Sequence, residues 1–166
     1  MNAPILVTKL FIPPTRAELV QRPDLIERLN DGLERKLTLL SAPAGFGKST
    51  LLCQWLNNAP LQSAWLSLDE QDGDPVLFWR YLIAALQTLH PDLGRGAELL
   101  LRGPQTPSAR AVLVPLLNDL SALPGQIVLV LDDYHVIEAG QVHTGLSYLL
   151  DHQPPNLHLV LITRVD

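Results

Sequence analysis

Three features of the 166-residue sequence predict an α/β fold with a mostly parallel sheet. Short apolar runs alternate with helix-period segments along the chain, the pattern of strands joined by crossover helices. One run, QIVLVLD at 126–132, is apolar almost throughout, as strands buried on both faces of a parallel sheet are. A glycine-bearing loop, APAGFGKST at 42–50, stands between the first apolar run and an amphipathic segment.

Each element has its own signals. Pro4, Pro13, Pro14 and Pro23 make residues 1–34 an extended arm ending in a short helix, which starts after Pro23 and stops at Gly32. The body is expected over 35–166. LTLLSA (37–42) reads as a buried strand, bounded by turn residues. STLLCQWLNN follows as a helix with Leu51, Leu52, Trp55 and Leu56 on one stripe and Pro60 as its stop. SAWLSL (63–68) is the second strand. From Pro75, VLFWRYLIAALQTL is helical and breaks before Pro91. Between Pro91 and Pro107, the residues Gly94, Gly96, Gly103 and Pro104 are expected to interrupt any helix. Ser108 is a plausible N-cap for a helix reaching Leu123, with a kink expected at Pro115. QIVLVLD is the third strand, 140–151 a helix, and LHLVLIT (157–163) the fourth strand.

Composition narrows the function. Lys and Arg number 12 against 17 Asp and Glu, a net charge of −5, which argues against direct nucleic-acid contact by this chain. Charged residues are only 17%, a lean surface that fits a module leaning on other domains. The single Cys53 excludes an internal disulfide and suits a reducing compartment. MNAPILVTKLF lacks a basic n-region and a cleavage site, and no apolar run approaches the ~18 residues of a membrane span. The expectation is a cytoplasmic chain without membrane contact.

The loop at 42–50 carries the strongest chemical signal. Cradling a phosphate chain needs converging backbone N–H groups, hence φ values that favour Gly45 and Gly47, and the next helix adds its positive N-terminus. Ala44, Gly45, Phe46 and Gly47 would form the cradle, with Lys48 reaching the β- and γ-phosphates. Ser49 would ligate Mg²⁺ and Thr50 contact the α-phosphate. Ala42 stands where G-x-x-x-x-G-K-[ST] has its first glycine. The alternative is a glycine turn with a solvated lysine, against which the flanking strand and helix weigh.

IVLVLDD ends in Asp132 and Asp133. A strand delivering a carboxylate beside a phosphate loop is how such proteins hold Mg²⁺. Asp132 is the metal candidate and Asp133 the residue that would orient water, the alternative being two aspartates at a strand exit. Arg164, closing ITR, could touch a γ-phosphate through its planar fork, and an ordinary surface arginine is the rival reading. LDEQDGDP lacks a Ca²⁺-loop register and reads as a solvated loop, with Asp69 the residue that could reach the cleft. The five histidines have no zinc-ligand spacing, and His135, nearest the presumed site, reads as structural. Cys53, Trp65, Phe78 and Trp79 read as packing residues.

These segments, with TKLFIPP, LVQRPDLIERL, AWLSLDEQDGDPVLFWRYLIAAL, LVLDDYHVI and PNLHLVLITR, resemble the start of the nucleotide-binding domain of MalT-like transcriptional regulators. Those are large signalling ATPases of the STAND class, often ending in a LuxR-type helix-turn-helix. The resemblance implies a three-layer P-loop NTPase fold of ASCE type with strand order 1-4-3-2. It further implies ATP or ADP with Mg²⁺, slow hydrolysis at most, and self-association on ATP binding. Asp132 and Asp133 become the metal and water carboxylates, Arg164 the γ-phosphate sensor, and Arg22 with Pro23 a motif near the base. Such regulators are several times longer, so the chain is expected to be a truncated portion without a fifth strand, with the phosphate-loop strand as an open sheet edge. DNA binding would belong to the remaining domains. Rival readings are a small P-loop kinase acting on a metabolite, and a non-catalytic interaction module whose loop is structural.

Overall fold

The computed structural model describes residues 4–14, 22–43, 45 and 47–165. Its helices are α1 (Pro23–Gly32), α2 (Lys48–Asn58), α3 (Pro75–Gln87), α4 (Arg95–Arg102), α5 (Ala109–Ser121) and α6 (Gly140–His152). Four strands, β1 (Leu37–Ala42), β2 (Gln62–Ser67), β3 (Ile127–Asp132) and β4 (Leu157–Arg164), form one parallel sheet in the order β1–β4–β3–β2. The expected strand order is therefore the observed one, and β1 lies at an edge.

Side-chain alternation divides the core. In β3 and β4, Val128, Val130, Val160 and Ile162 point to one face, where they meet Leu29 of α1 and Leu52, Trp55 and Leu56 of α2. Leu129, Leu131, Leu159 and Leu161 point to the other and pack with Phe78, Leu82, Leu116 and Leu146 of α3, α5 and α6. The continuous apolar runs are thus buried on both faces, giving three layers. Within this packing the Trp55 indole donates to Asn30 Oδ1 at 2.7 Å. Among the described residues no helix is long and apolar enough to cross a membrane.

Two expectations are corrected. The stretch between Pro91 and Pro107 is helical over Arg95–Arg102, because its glycines punctuate the helix and do not interrupt it. Gly94 sits at the N-cap with φ 72°, where its N–H donates to Asp119 Oδ2 at 3.0 Å, and Gly103 is the C-cap. Pro115 lies inside α5.

LDEQDGDP is a clamp, not a solvated loop. Residues Glu70–Gly73 form a 3₁₀ turn in which Asp69 and Asp72 cap one another, and Asp72 is fully buried. Its carboxylate pairs with Lys9, whose ammonium also lies 3.1 Å from Asp69 Oδ2 and 4.3 Å from the centre of the Tyr81 ring. The Leu6 N–H donates to the Tyr81 hydroxyl at 3.0 Å. The arm is thereby fastened beside β2, at the opposite edge of the sheet from β1.

Candidate functional site

Parallel strands deliver the residues that follow them to one edge of the sheet. The loop after β1 and the ends of β3 and β4 meet at that edge around a cleft of about 250 Å³. Gly45, Gly47, Lys48, Ser49 and Thr50 line it together with Asp132, Asp133 and Arg164, so eight of the eleven predicted site residues converge. Ala44 and Phe46 lie outside the described residues. Arg22 is not in this cleft; it lines a separate cavity of about 370 Å³ between α1 and α2.

Gly45 and Gly47 adopt φ of 87° and 73°, the left-handed region that glycine enters without steric cost. Gly47 is the N-cap of α2, and no side chain caps that end. Lys48 curls back across the strand ends: its ammonium donates to the Thr163 carbonyl at 2.6 Å and to the Ala42 carbonyl. It thus ties β1 to β4 at the rim of the cleft.

Across the cleft, the Ser49 hydroxyl donates to Asp132 Oδ2 at 3.4 Å. Burial, and then the neighbouring Asp133 charge, push the Asp132 carboxyl up to about 6, against the opposing pull of Ser49 and Lys48. A hydroxyl and a carboxylate this close supply hard oxygen donors of the kind Mg²⁺ takes. Asp133 has φ 59°, and is the one described non-glycine residue in the left-handed region. That turn ends β3 and starts a 3₁₀ turn at Tyr134–Val136, leaving Asp133 exposed at the cleft.

Three contacts around the site escaped the reading of the sequence. The His135 ring accepts from the Arg164 N–H at Nδ1, 3.1 Å away. Tyr134 shares a 2.5 Å hydrogen bond with His143 of α6. Lys9 reaches the Asp69–Asp72 turn, so Asp69 faces the arm instead of the cleft. The D-x-x-D spacing of Asp69 and Asp72 was a legible capping signal, whereas nothing near Lys9 in sequence points to its partners.

Other residues of interest serve packing. Cys53 is buried, and burial followed by the Asp132 charge pushes its thiol up to about 11, which leaves no thiolate for chemistry. His158 accepts from Thr38 at 2.7 Å and donates to the Arg35 carbonyl, and burial holds it below the usual histidine range. A larger cavity of about 640 Å³ opens between the starts of α3, α5 and α6, and no charged residue lines it.

No protein-family model matches the chain. It is 35% identical over 160 residues, 96% of its length, to the HTH-type transcriptional regulator MalT of Yersinia enterocolitica. The corresponding regulator of Cronobacter sakazakii is 34% identical over the same span. The chain covers 18% of the length of these regulators. Among solved structures, a Walker-type ATPase of Pyrococcus abyssi matches with a TM-score of 0.55 and 22% identity, over 90% of this chain and 46% of that one. The fold is that of a P-loop NTPase.

Proposed function

From the premise that this chain is a P-loop domain similar to a stretch of the MalT regulators, we propose that it is a nucleotide switch binding ATP or ADP with Mg²⁺. The observation that carries this reading is the convergence of Lys48, Ser49, Asp132, Asp133 and Arg164 on one small cleft at the sheet's C-terminal edge. That edge is where α/β sheets bind ligands. A phosphate entering there competes with the strand-end carbonyls for the Lys48 ammonium and meets the uncapped N-terminus of α2.

Ser49 and Asp132 would hold the Mg²⁺, which when bound neutralises charge on the phosphate oxygens. Asp133 would orient water, and Arg164 would touch the terminal phosphate. Catalysis would rest on positioning and electrostatics, with slow turnover serving the switch. Arg22, across α1 in its own cavity, belongs to the base end of the reading. The division into an arm at 1–34 and a nucleotide-binding body at 35–166 is part of the same proposal. So are a STAND-type, LuxR-family parent, a cytoplasmic setting and self-association in the ATP state. The net charge of −5 and the 18% span support assigning DNA binding to other domains of such a parent.

Calorimetric titration of ADP and ATP with Mg²⁺ into this chain and its Lys48→Ala variant tests the reading. Loss of the charge-assisted phosphate contact is expected to weaken binding about 10- to 100-fold. Absence of nucleotide binding by the folded chain would sink it and favour a structural loop.

A further inference from the structure

The pairing of β4 is asymmetric at the end that reaches the cleft. On the β1 side the ladder runs to Ala42↔Arg164, but on the β3 side it stops at Leu131↔Leu161. Ile162, Thr163 and Arg164 therefore overhang β3, and β3 offers the Arg164 N–H no acceptor. His135 supplies one, its Nδ1 accepting from that N–H at 3.1 Å.

The histidine is itself held firmly. Asp133, in the left-handed region, turns the chain out of β3 into the 3₁₀ turn Tyr134–Val136. Tyr134 pins that turn to α6 through His143. Along Asp132–His135, successive residues thus face the metal position, make the turn, anchor it, and hold the strand end that carries Arg164. His135 and Arg164 also line a second cavity together, of about 450 Å³.

We propose that His135 is a positioning residue that holds the end of β4 so that Arg164 meets the terminal phosphate of a nucleoside triphosphate. The inference rests on the nucleotide reading above and adds its regulation: discrimination of ATP from ADP passes through one hydrogen bond between the turn after β3 and the end of β4. Only proline at position 164 would remove that N–H, and it would also lose the Arg164 side chain and lock φ in β4, so the acceptor is the partner to alter.

The test is the ratio of ATP to ADP affinity with Mg²⁺, measured by calorimetry on the chain and on His135→Asn, His135→Gln, His135→Ala and Arg164→Ala. Asparagine places an acceptor near the Nδ1 position, whereas glutamine places its polar atoms near Nε2. Losing one hydrogen bond is expected to shift the ratio about three- to tenfold toward ADP in the Ala and Gln variants. ADP affinity itself should hold, Asn should restore the ratio to within about twofold, and Ala combined with Arg164→Ala should shift it no further than Arg164→Ala alone. Asn and Gln variants with the same ratio, or equal losses for ADP and ATP, would overturn the proposal while leaving the nucleotide reading intact. A folded chain that binds neither nucleotide would overturn both.

Discussion

The Lys48 ammonium donates to the Thr163 carbonyl across 2.6 Å, which ties the cation of the glycine loop to the residue immediately before Arg164. With the Ala42 carbonyl as second acceptor, Lys48 joins the ends of β1 and β4. The same side chain therefore has a structural partner before any phosphate arrives. Lys48→Ala should lower the stability of the ligand-free chain by about 1–2 kcal/mol, the worth of a charged hydrogen bond at a partly buried carbonyl. It should also shrink the rise in melting temperature expected of the unmodified chain with Mg²⁺ and ADP. Thermal melts with and without nucleotide separate the two effects; an unchanged ligand-free melt would show that the strand-end contacts contribute nothing.

Asp132 makes the stability of this fold depend on pH in the direction opposite to most carboxylates. Its folded pKa is about 6, above the usual carboxylate range, so between pH 4 and 6 the folded state holds a proton that the unfolded state has released. Stability falls as pH rises through that window, and the cost is fully present above pH 6. Because the side chain is only partly buried, the cost is roughly 1–3 kcal/mol. Asp132→Asn should thus be more stable than the unmodified chain at pH 7.5 and lose that advantage near pH 4.5. The same substitution should remove the Mg²⁺-dependent part of nucleotide affinity, since the amide is a poor metal ligand. Paired melts at the two pH values decide it, and an equal difference at both would discard the linkage.

The strands and the polar residues that end them were readable for a physical reason. A parallel sheet buries β3 and β4 on both faces, which leaves apolar runs visible by eye, and its strands end in residues such as Asp132 and Arg164 whose polarity contrasts with the run before them. The glycine loop was equally legible, since Gly45 and Gly47 are demanded by local backbone geometry. What escaped depends on tertiary contact. α4 was hidden because Gly94 and Gly103 are breakers on paper and caps in place. The Lys9–Asp72 and His135–Arg164 contacts join residues 63 and 29 positions apart, and no local pattern encodes such pairs. The chain that carries Arg22 into α1 leaves it in a different cavity from the loop, a separation that sequence order does not report.

The buried Asp72 makes the arm energetically significant. Its Oδ2 accepts from the Asp69 N–H and pairs with Lys9, whose side chain is 10% exposed, while Oδ1 has no hydrogen-bond partner among the described residues. Removing the cation alone strands a buried charge, a loss of about 3–5 kcal/mol, far more than a surface pair is worth. Lys9→Met should therefore unfold at markedly lower urea. Adding Asp72→Asn to Lys9→Met should recover part of the loss, because the neutral amide keeps the acceptor for Asp69 without the desolvated charge. Equal midpoints for the single and double variants would mean that the pair is not what fastens the arm.

Gly145 tests the packing between the helices that flank the site from below. It lies on α6, and a Cβ there would stand 2.3 Å from Cζ2 of Trp79 on α3 and 3.1 Å from the Ala109 Cβ of α5. The nearer contact is with an indole that is 3% exposed and cannot swing aside into solvent. Ala is the better helix former by about 1 kcal/mol, yet in this helix the steric term should win. Overpacking of a filled core costs about 1–3 kcal/mol, and a Cβ this deep inside another atom's radius belongs at or beyond the upper end. Gly145→Ala is therefore expected to destabilise by about 2 kcal/mol net. Trp79→Phe, which removes the second ring, should be less harmful when combined with Gly145→Ala than alone. That sign of coupling, read from urea midpoints of the four chains, is the decisive quantity. Additive losses would show that α6 relaxes away from α3, and the turn that Tyr134 pins to α6 would then be expected to shift with it.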